Sequence, residues 1–226
     1  MKIIMKRFVA YAIDILLVSV VSTLITSNSY INKDFKKYMN VTEEYETFYD
    51  NYEESVEALD EALEYEAITK DEYHSKLANI NKEFDKKNMD YSYQLIKLSV
   101  VPTIISILFI LLYFVVIQYY LNGQTIGKRI MKLRVVSNND KKLNLFNYLL
   151  RSLILNSVFI NVLTVIFVLT LSKSGYLIYN QIIYVVNDVI EMVIILMMCF
   201  DKNNRGLQDY VANTKVVWEG VKNEVQ

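Results

Sequence analysis

Cysteine, proline, glycine and histidine are scarce in this chain, and the shortages narrow what the protein can be. The 226 residues include one cysteine, one proline, five glycines and one histidine. A lone cysteine excludes a disulfide scaffold, and the sequence contains no metal-ligand cluster, no Ser/His/Asp arrangement and no cofactor motif. The hydrophobic content of 53% excludes a disordered chain. The composition therefore argues against an enzyme, a metal site and a bound cofactor.

Net charge is also nearly absent, because two regions of opposite sign cancel. Residues 27–97 carry 9 basic and 17 acidic side chains, a net of −8, whereas the remainder carries 15 and 8, a net of +7. The basic side chains flank apolar runs and form no basic domain. Nucleic-acid binding is therefore not expected.

Four long apolar runs determine the predicted fold class. A helix rises ~1.5 Å per residue and the hydrocarbon core is ~30 Å thick, so about 20 apolar residues cross it. All five glycines lie outside the runs, where turns are needed. We predict an all-α membrane protein whose four transmembrane helices are surrounded by lipid, from the runs 8–25, 98–121, 149–171 and 176–200.

Lysine and arginine in the short flanks predict the orientation of these helices. Fourteen basic residues belong to flanks that share one side, against Lys173 alone in the turn between the third and fourth runs. The excess of positive charge predicts that this side, with both termini, is cytoplasmic. The chain then divides into the N-terminus and first helix, an external insert, three further helices with a cytoplasmic loop at 122–148, and a cytoplasmic tail, at 1–26, 27–97, 98–200 and 201–226.

A cleaved signal peptide is the alternative interpretation of the first run. The basic start and the small residues Ser27-Asn28-Ser29 fit a signal peptide. The length of the run and Asp14 inside it favour a retained helix.

The acidic insert has the pattern of a helical hairpin. Apolar side chains recur every three or four residues over 41–63 and again over 73–95, which is typical of helices with one apolar face. Thr69 and Glu72 form a capping-box pattern that begins the second helix. We predict an antiparallel coiled-coil hairpin outside the membrane. Its nine tyrosines either fill the seam between the helices or bind a partner protein through residues 30–96.

The predicted cytoplasmic segments and the first helix carry the most specific motifs. Gly123-Gln124-Thr125-Ile126-Gly127-Lys128-Arg129 precedes Leu133-Arg134-Val135-Val136, and Arg205-Gly206-Leu207-Gln208-Asp209 stands near the end. With Arg7 and Asp14, these motifs resemble the RDD family of bacterial membrane proteins. The resemblance covers residues 6–26 and roughly 98–218, and leaves out the hairpin. Gln208 departs from the histidine often found before the last aspartate.

The resemblance implies a protein of the bacterial cell membrane that transports an unidentified ligand, with cation/proton exchange as one suggestion. The family is named for an arginine and two aspartates, which match Arg7, Asp14 and Asp209 here. We expect Arg7 to meet Asp209, although the three residues are equally compatible with a structural clamp. Residues 133–137 and 214–218 are short and β-branched, which predicts a small paired ribbon. Three residues separate Gly123 from Gly127 and no Ser/Thr follows Lys128, so a tight turn is favoured over a phosphate loop.

Three carboxylates within the apolar runs are the candidate binding site. A charge at mid-bilayer costs ~3 kcal/mol, so Asp14, Asp188 and Glu191 should face a bundle interior or water. Their depths along the helices would allow them to converge, and close carboxylates recruit a proton or a cation such as Na⁺. Such a carrier would be an oligomer, since four helices enclose little. Alternatively, Asp188 and Glu191 are neutral and bond neighbouring helices through Asn156, Asn161, Asn187 or Gln118. The rival function is a scaffold that presents the hairpin to a partner protein.

Overall fold

The computed structural model describes residues 2–139 and 141–219, so the end of the predicted tail lies outside the described residues. This part of the chain contains nine helices and two strands. In chain order they are α1 (Ile3–Thr26), α2 (Phe35–Glu64), α3 (Lys70–Leu98), α4 (Val100–Tyr120), α5 (Ile126–Ile130), β1 (Leu133–Ser137), α6 (Leu145–Leu155), α7 (Val158–Thr170), α8 (Lys173–Phe200), α9 (Leu207–Val211) and β2 (Thr214–Trp218).

Three of the described helices, α1, α4 and α8, are long and apolar enough to cross a membrane. Many of their large hydrophobic side chains are exposed, including Leu24 on α1, Leu108 on α4 and Val185 on α8. Exposed apolar surface of this extent is stable in lipid and unfavourable in water. The chain is therefore a membrane protein.

The third predicted span is not one continuous helix. Helices α6 and α7 meet at a bend of 67°, so they form a fourth crossing only if the bent pair counts as one span. Ser157 lies at the bend with φ +49°, in the left-handed region that a helix cannot continue through. Local side-chain bonds hold the break: Asn156 donates to Ser152, and Ser157 donates to Asn187 on α8.

The segment Asn28–Val100 forms a compact unit of its own and contains the predicted helical hairpin. Tyr45 donates a hydrogen bond to Asn88 and Tyr52 donates one to Asn81. The later residue on α2 thus pairs with the earlier residue on α3, so the two helices are antiparallel. The predicted capping box is present, with Thr69 and the Glu72 side chain each accepting from the other's backbone N–H.

The tyrosines of the hairpin are partly buried in the seam and partly exposed. Tyr45 and Tyr52 are half-buried in the seam, where their rings lie close to Tyr91 and Phe84 respectively. Tyr65, by contrast, is 79% exposed just beyond the end of α2. The seam therefore accounts for part of the set only.

The remaining described residues form the other unit, and its core joins the sheet to the apolar helices. Strands β1 and β2 pair in antiparallel fashion, with Val135 opposite Val216, so the predicted ribbon is confirmed. Leu133, Val135 and Val216 pack with Ala10 of α1 and Tyr148 of α6. Because alternate strand residues face the same side, this packing fixes the sheet against the base of the helices.

Candidate functional site

The carboxylate of Asp14 on α1 is fully buried and bonded through both oxygens. Its Oδ1 accepts hydrogen bonds from the Tyr113 hydroxyl at 2.6 Å and from the Gly127 backbone N–H at 2.7 Å. Its Oδ2 accepts one from Thr125, and Lys128 Nζ lies 3.8 Å away. Asp14 therefore links α1 to α4 and to the first turn of α5. Tyr113 lies in a π-helical segment of α4, Leu112–Ile117.

The glycine-containing motif before β1 is built to bring α5 against α1. Gly123 has φ +88°, and a Cβ there would lie 2.2 Å from the Val135 carbonyl oxygen. A Cβ on Gly127 would lie 2.1 Å from the Ala10 carbonyl oxygen, so only glycine allows this approach. Gln124 donates to the Leu133 carbonyl and ties the motif to the sheet. These contacts belong to a turn, as the sequence favoured, and the short helix α5 follows it.

A second buried carboxylate, Asp209 on α9, holds two arginines. Arg7 Nη2 donates to Asp209 Oδ2 at 2.6 Å, so the expected contact is present. Arg151 Nη1 donates to Asp209 Oδ1 and, at 2.7 Å, to Thr214 Oγ1. We call Arg7, Arg151, Asp209 and Thr214 the Asp209 clamp. It joins α1, α6, α9 and β2.

The clamp keeps its central carboxylate ionised. Burial by itself would raise the pKa of Asp209, but Arg151 and Arg7 outweigh it and lower that pKa to about 2. Hydrogen bonds from both arginines act in the same direction because they favour the charged form. Asp209 is therefore a fixed negative charge above pH ~4.

A cavity of about 270 Å³ adjoins both clusters. Three cationic side chains line it, namely Arg7, Lys128 and Arg151, whereas Glu191 is the one carboxylate among its described lining residues. The apolar wall comes mainly from α1 and α8, including Phe8, Ile194, Ile195 and Met198. We call this space the cation-lined cavity.

Lys128 connects the cavity to Asp14. Its side chain is almost entirely buried, and Nζ donates to Thr125 Oγ1 at 3.2 Å. Burial lowers the pKa of Lys128 to about 8; Asp14 opposes the shift, whereas Arg151 and Arg7 add to it. The amine therefore changes charge close to neutral pH, next to a space that can hold a ligand.

The three predicted carboxylates lie in different surroundings. Asp14 is buried, Glu191 lies on the cavity wall, and Asp188 is exposed on the surface of α8. Among the described residues, no three His, Cys, Asp or Glu side chains lie close enough to share a metal ion. The expected convergence of all three is thus absent from the described conformation. Glu191 accepts a hydrogen bond at 2.8 Å from Asn187, which lies four residues away on the same helix, so this bond does not join neighbouring helices.

Two other arginines of the motifs, Arg134 and Arg205, lie away from the cavity. Arg134 on β1 forms an ion pair of 2.6 Å with Glu219, and both side chains are more than a third exposed. Arg205 bonds to Asp201 and to the Tyr210 hydroxyl. Neither arginine lines the cation-lined cavity in the described chain.

Sequence reasoning missed Arg151, Tyr113 and Lys128 as members of the site. Arg151 is one of the fourteen basic residues assigned to the flanks, although it falls inside the third apolar run, where a cation indicates a buried partner. Lys128 stands in the motif 123–129, but the spacing of residues does not show that its side chain points towards Asp14. Tyr113 is one of 18 tyrosines, and no local pattern distinguishes it.

Helices of membrane-spanning length joined by two buried ion clusters define a multi-pass class of membrane protein. The profile of the RDD family matches residues 3–213, and the chain belongs to that family. The matched range contains both buried aspartates and Arg7. Searches of curated proteins and of solved structures returned no match.

Proposed function

We propose that this protein is a proton-coupled carrier of a small ligand, with the cation-lined cavity as its ligand site. The observation that carries the proposal is the position of Lys128, which is buried, lies 3.8 Å from Asp14 and lines the cavity. An amine with a pKa of about 8 populates both charge states in the cell. If a ligand prefers one charge state of Lys128, the protein must take up or release a proton at this amine when the ligand binds.

The contacts suggest different roles for the acidic groups. Asp14 accepts three hydrogen bonds, which hold its carboxylate in place. Because Lys128 Nζ lies 3.8 Å away, this carboxylate positions the amine and stabilises its charged form. Glu191 has a carboxylate on the cavity wall and is the second group that can exchange a proton with the ligand site. Asp188 has no part in this proposal, because it does not line the cavity.

Proton movement in proteoliposomes tests the proposal. Vesicles containing a trapped pH-sensitive dye receive an imposed pH gradient, and its dissipation is followed with and without an opposing Na⁺ gradient. We expect the wild-type protein to accelerate dissipation, and Lys128→Met and Glu191→Gln to abolish the acceleration. Lys142→Met is the matched control, because Lys142 is exposed and does not line the cavity.

Equal rates in wild-type, Lys128→Met and Glu191→Gln vesicles would contradict the carrier. Asp14→Asn adds a second comparison, since it retains a side chain of the same size but removes the charge beside Lys128. Size-exclusion chromatography should show that this variant is folded, so that its effect on proton movement is not caused by unfolding.

A scaffold is the second candidate, because the hairpin displays exposed aromatic residues. Tyr30 is 93% and Tyr65 is 79% exposed, and aromatic side chains dominate many protein interfaces. Deleting residues 34–90 separates the two functions. A carrier should retain proton movement after the deletion, whereas a scaffold should lose the partner that the intact hairpin retains from native membranes.

A further inference from the structure

The lining of the cation-lined cavity carries more positive than negative charge, because Arg7, Lys128 and Arg151 stand against one carboxylate among the described lining residues, Glu191. Lys128 is also paired with Asp14, and Arg7 and Arg151 with Asp209. Neither aspartate lines the space, whereas all three cations do. Arg151 donates both of its hydrogen bonds within the described chain through Nη1, which leaves its other guanidinium nitrogens available to a ligand. A planar guanidinium suits carboxylate and phosphate oxygens.

One buried polar atom in the cavity also lacks a partner. Gln208 is fully buried and lines the space, and its Oε1 has no hydrogen-bond partner among the described residues. A buried acceptor without a partner is unfavourable, so a ligand that donates to it gains affinity. Apolar side chains from α8 also line the space, namely Ile194, Ile195 and Met198. A ligand must therefore combine negative charge, a donor and an apolar part.

We propose that the cavity binds an amphipathic monoanion: a carboxylate or a singly charged phosphate ester, joined to a short apolar group and to a hydrogen-bond donor. The inference deepens the proposed function, because it names the ligand class of the same cavity. Arg151, Arg7 and Lys128 hold the anionic group, Gln208 accepts from the donor, and α8 packs on the apolar group. The volume of about 270 Å³ restricts the bound part to a small molecule or one end of a lipid.

Calorimetry on the full chain in neutral phosphatidylcholine nanodiscs tests this inference. The probe is 3-hydroxyhexanoate, which has a carboxylate, a hydroxyl donor and a short chain. Hexanoate lacks the donor, acetate lacks the chain, and hexyltrimethylammonium reverses the charge. We expect 3-hydroxyhexanoate to bind, hexanoate to bind roughly threefold to tenfold more weakly, and the other two not to bind.

Variants separate binding in the cavity from adsorption to the nanodisc. Ile195→Trp should abolish binding, because the larger side chain would occupy the cavity that Ile195 lines. Ile182→Trp on the same helix should not affect binding, since Ile182 is exposed and does not line the cavity. Gln208→Met should remove the preference for the hydroxylated acid. Glu191→Gln should tighten binding severalfold by removing the like charge, a gain that structural damage would not produce.

Nanodiscs containing phosphatidic acid distinguish the source of the ligand. If this lipid suppresses 3-hydroxyhexanoate binding, a lipid headgroup occupies the site; if it does not, the site takes a free acid, and either result supports the inference. The inference would be overturned if neither 3-hydroxyhexanoate nor hexanoate binds, or if binding is unchanged in Ile195→Trp. Proton movement without anion binding would leave the carrier intact and refute this inference, whereas anion binding without proton movement would do the reverse.

Discussion

Removing the charge at the centre of the Asp209 clamp is the most informative single change. Asp209→Asn keeps the size of the side chain but leaves Arg7 and Arg151 buried without a counter-charge. The clamp joins α1, α6, α9 and β2, so its loss should loosen the sheet from the helices. We expect a folded but markedly less stable protein.

The structure gives the scale of this loss. The pKa of Asp209 falls from 3.8 to about 2 in the folded chain, which corresponds to ~2 kcal/mol of stabilisation by its surroundings. The substitution costs more than this, because it strands two cations. Breaking a buried ion pair by removing one partner typically costs about 3–5 kcal/mol. We expect a loss in that range.

The single tryptophan provides a local assay. Trp218 lies at the end of β2, with Lys6 Nζ 3.7 Å from its ring centroid, and no other tryptophan contributes to the signal. Asp209→Asn should lower the midpoint of thermal unfolding and increase quenching of Trp218 by acrylamide. The matched control is Glu219→Gln, which breaks an exposed ion pair and should cost at most ~1 kcal/mol.

The same carboxylate predicts the direction of the pH dependence. Because the folded pKa lies below the unfolded one, the stabilisation from Asp209 is complete above pH ~4 and is lost as pH falls towards 2. Quenching of Trp218 should therefore stay constant from neutral pH to pH ~4 and rise below it. Unchanged stability in Asp209→Asn, or release of Trp218 well above pH 4, would refute the reasoning.

Two further changes test the packing of each unit. Gly127→Ala places a Cβ 2.1 Å from the Ala10 carbonyl oxygen, so it should separate α5 from α1 and cost about 3 kcal/mol or more, measured by thermal unfolding. Gly175→Ala is its control, since the nearest atom there is the Ser172 side-chain oxygen at 3.3 Å, and the change should cost at most about 1 kcal/mol. Thr69→Ala removes the capping box and should cost about 1 kcal/mol, seen as faster hydrogen exchange in the first turn of α3 and not in α2.

Features with a strong local cause could be predicted from the sequence. The hairpin followed from apolar spacing, because a helix places every third or fourth residue on one face. The capping box at Thr69 followed from two residues three apart, since its bonds are local. The ribbon followed from two short β-branched segments bounded by turns. Its register, with Val135 opposite Val216, could not be predicted because it depends on how these residues pack in the core.

The bend between α6 and α7 had no such cause. The apolar run contains neither glycine nor proline around Ser157, so its composition predicts one straight span. The left-handed residue is stabilised by a hydrogen bond to Asn187, a residue 30 positions away on α8. A break that depends on a distant partner is invisible to a local pattern.

The apolar runs, the hairpin, the ribbon and the identity of both buried aspartates could be predicted from the sequence, because these depend on periodicity, cost of burial and motif. The partners of the aspartates became known from the packing of the folded chain. This packing gave Asp14 three hydrogen-bond donors and Lys128, gave Asp209 a second arginine, and left Asp188 on the surface of α8. The physical reason is that the partner of a buried charge is selected by packing between distant segments, and the charge of a residue does not specify that partner.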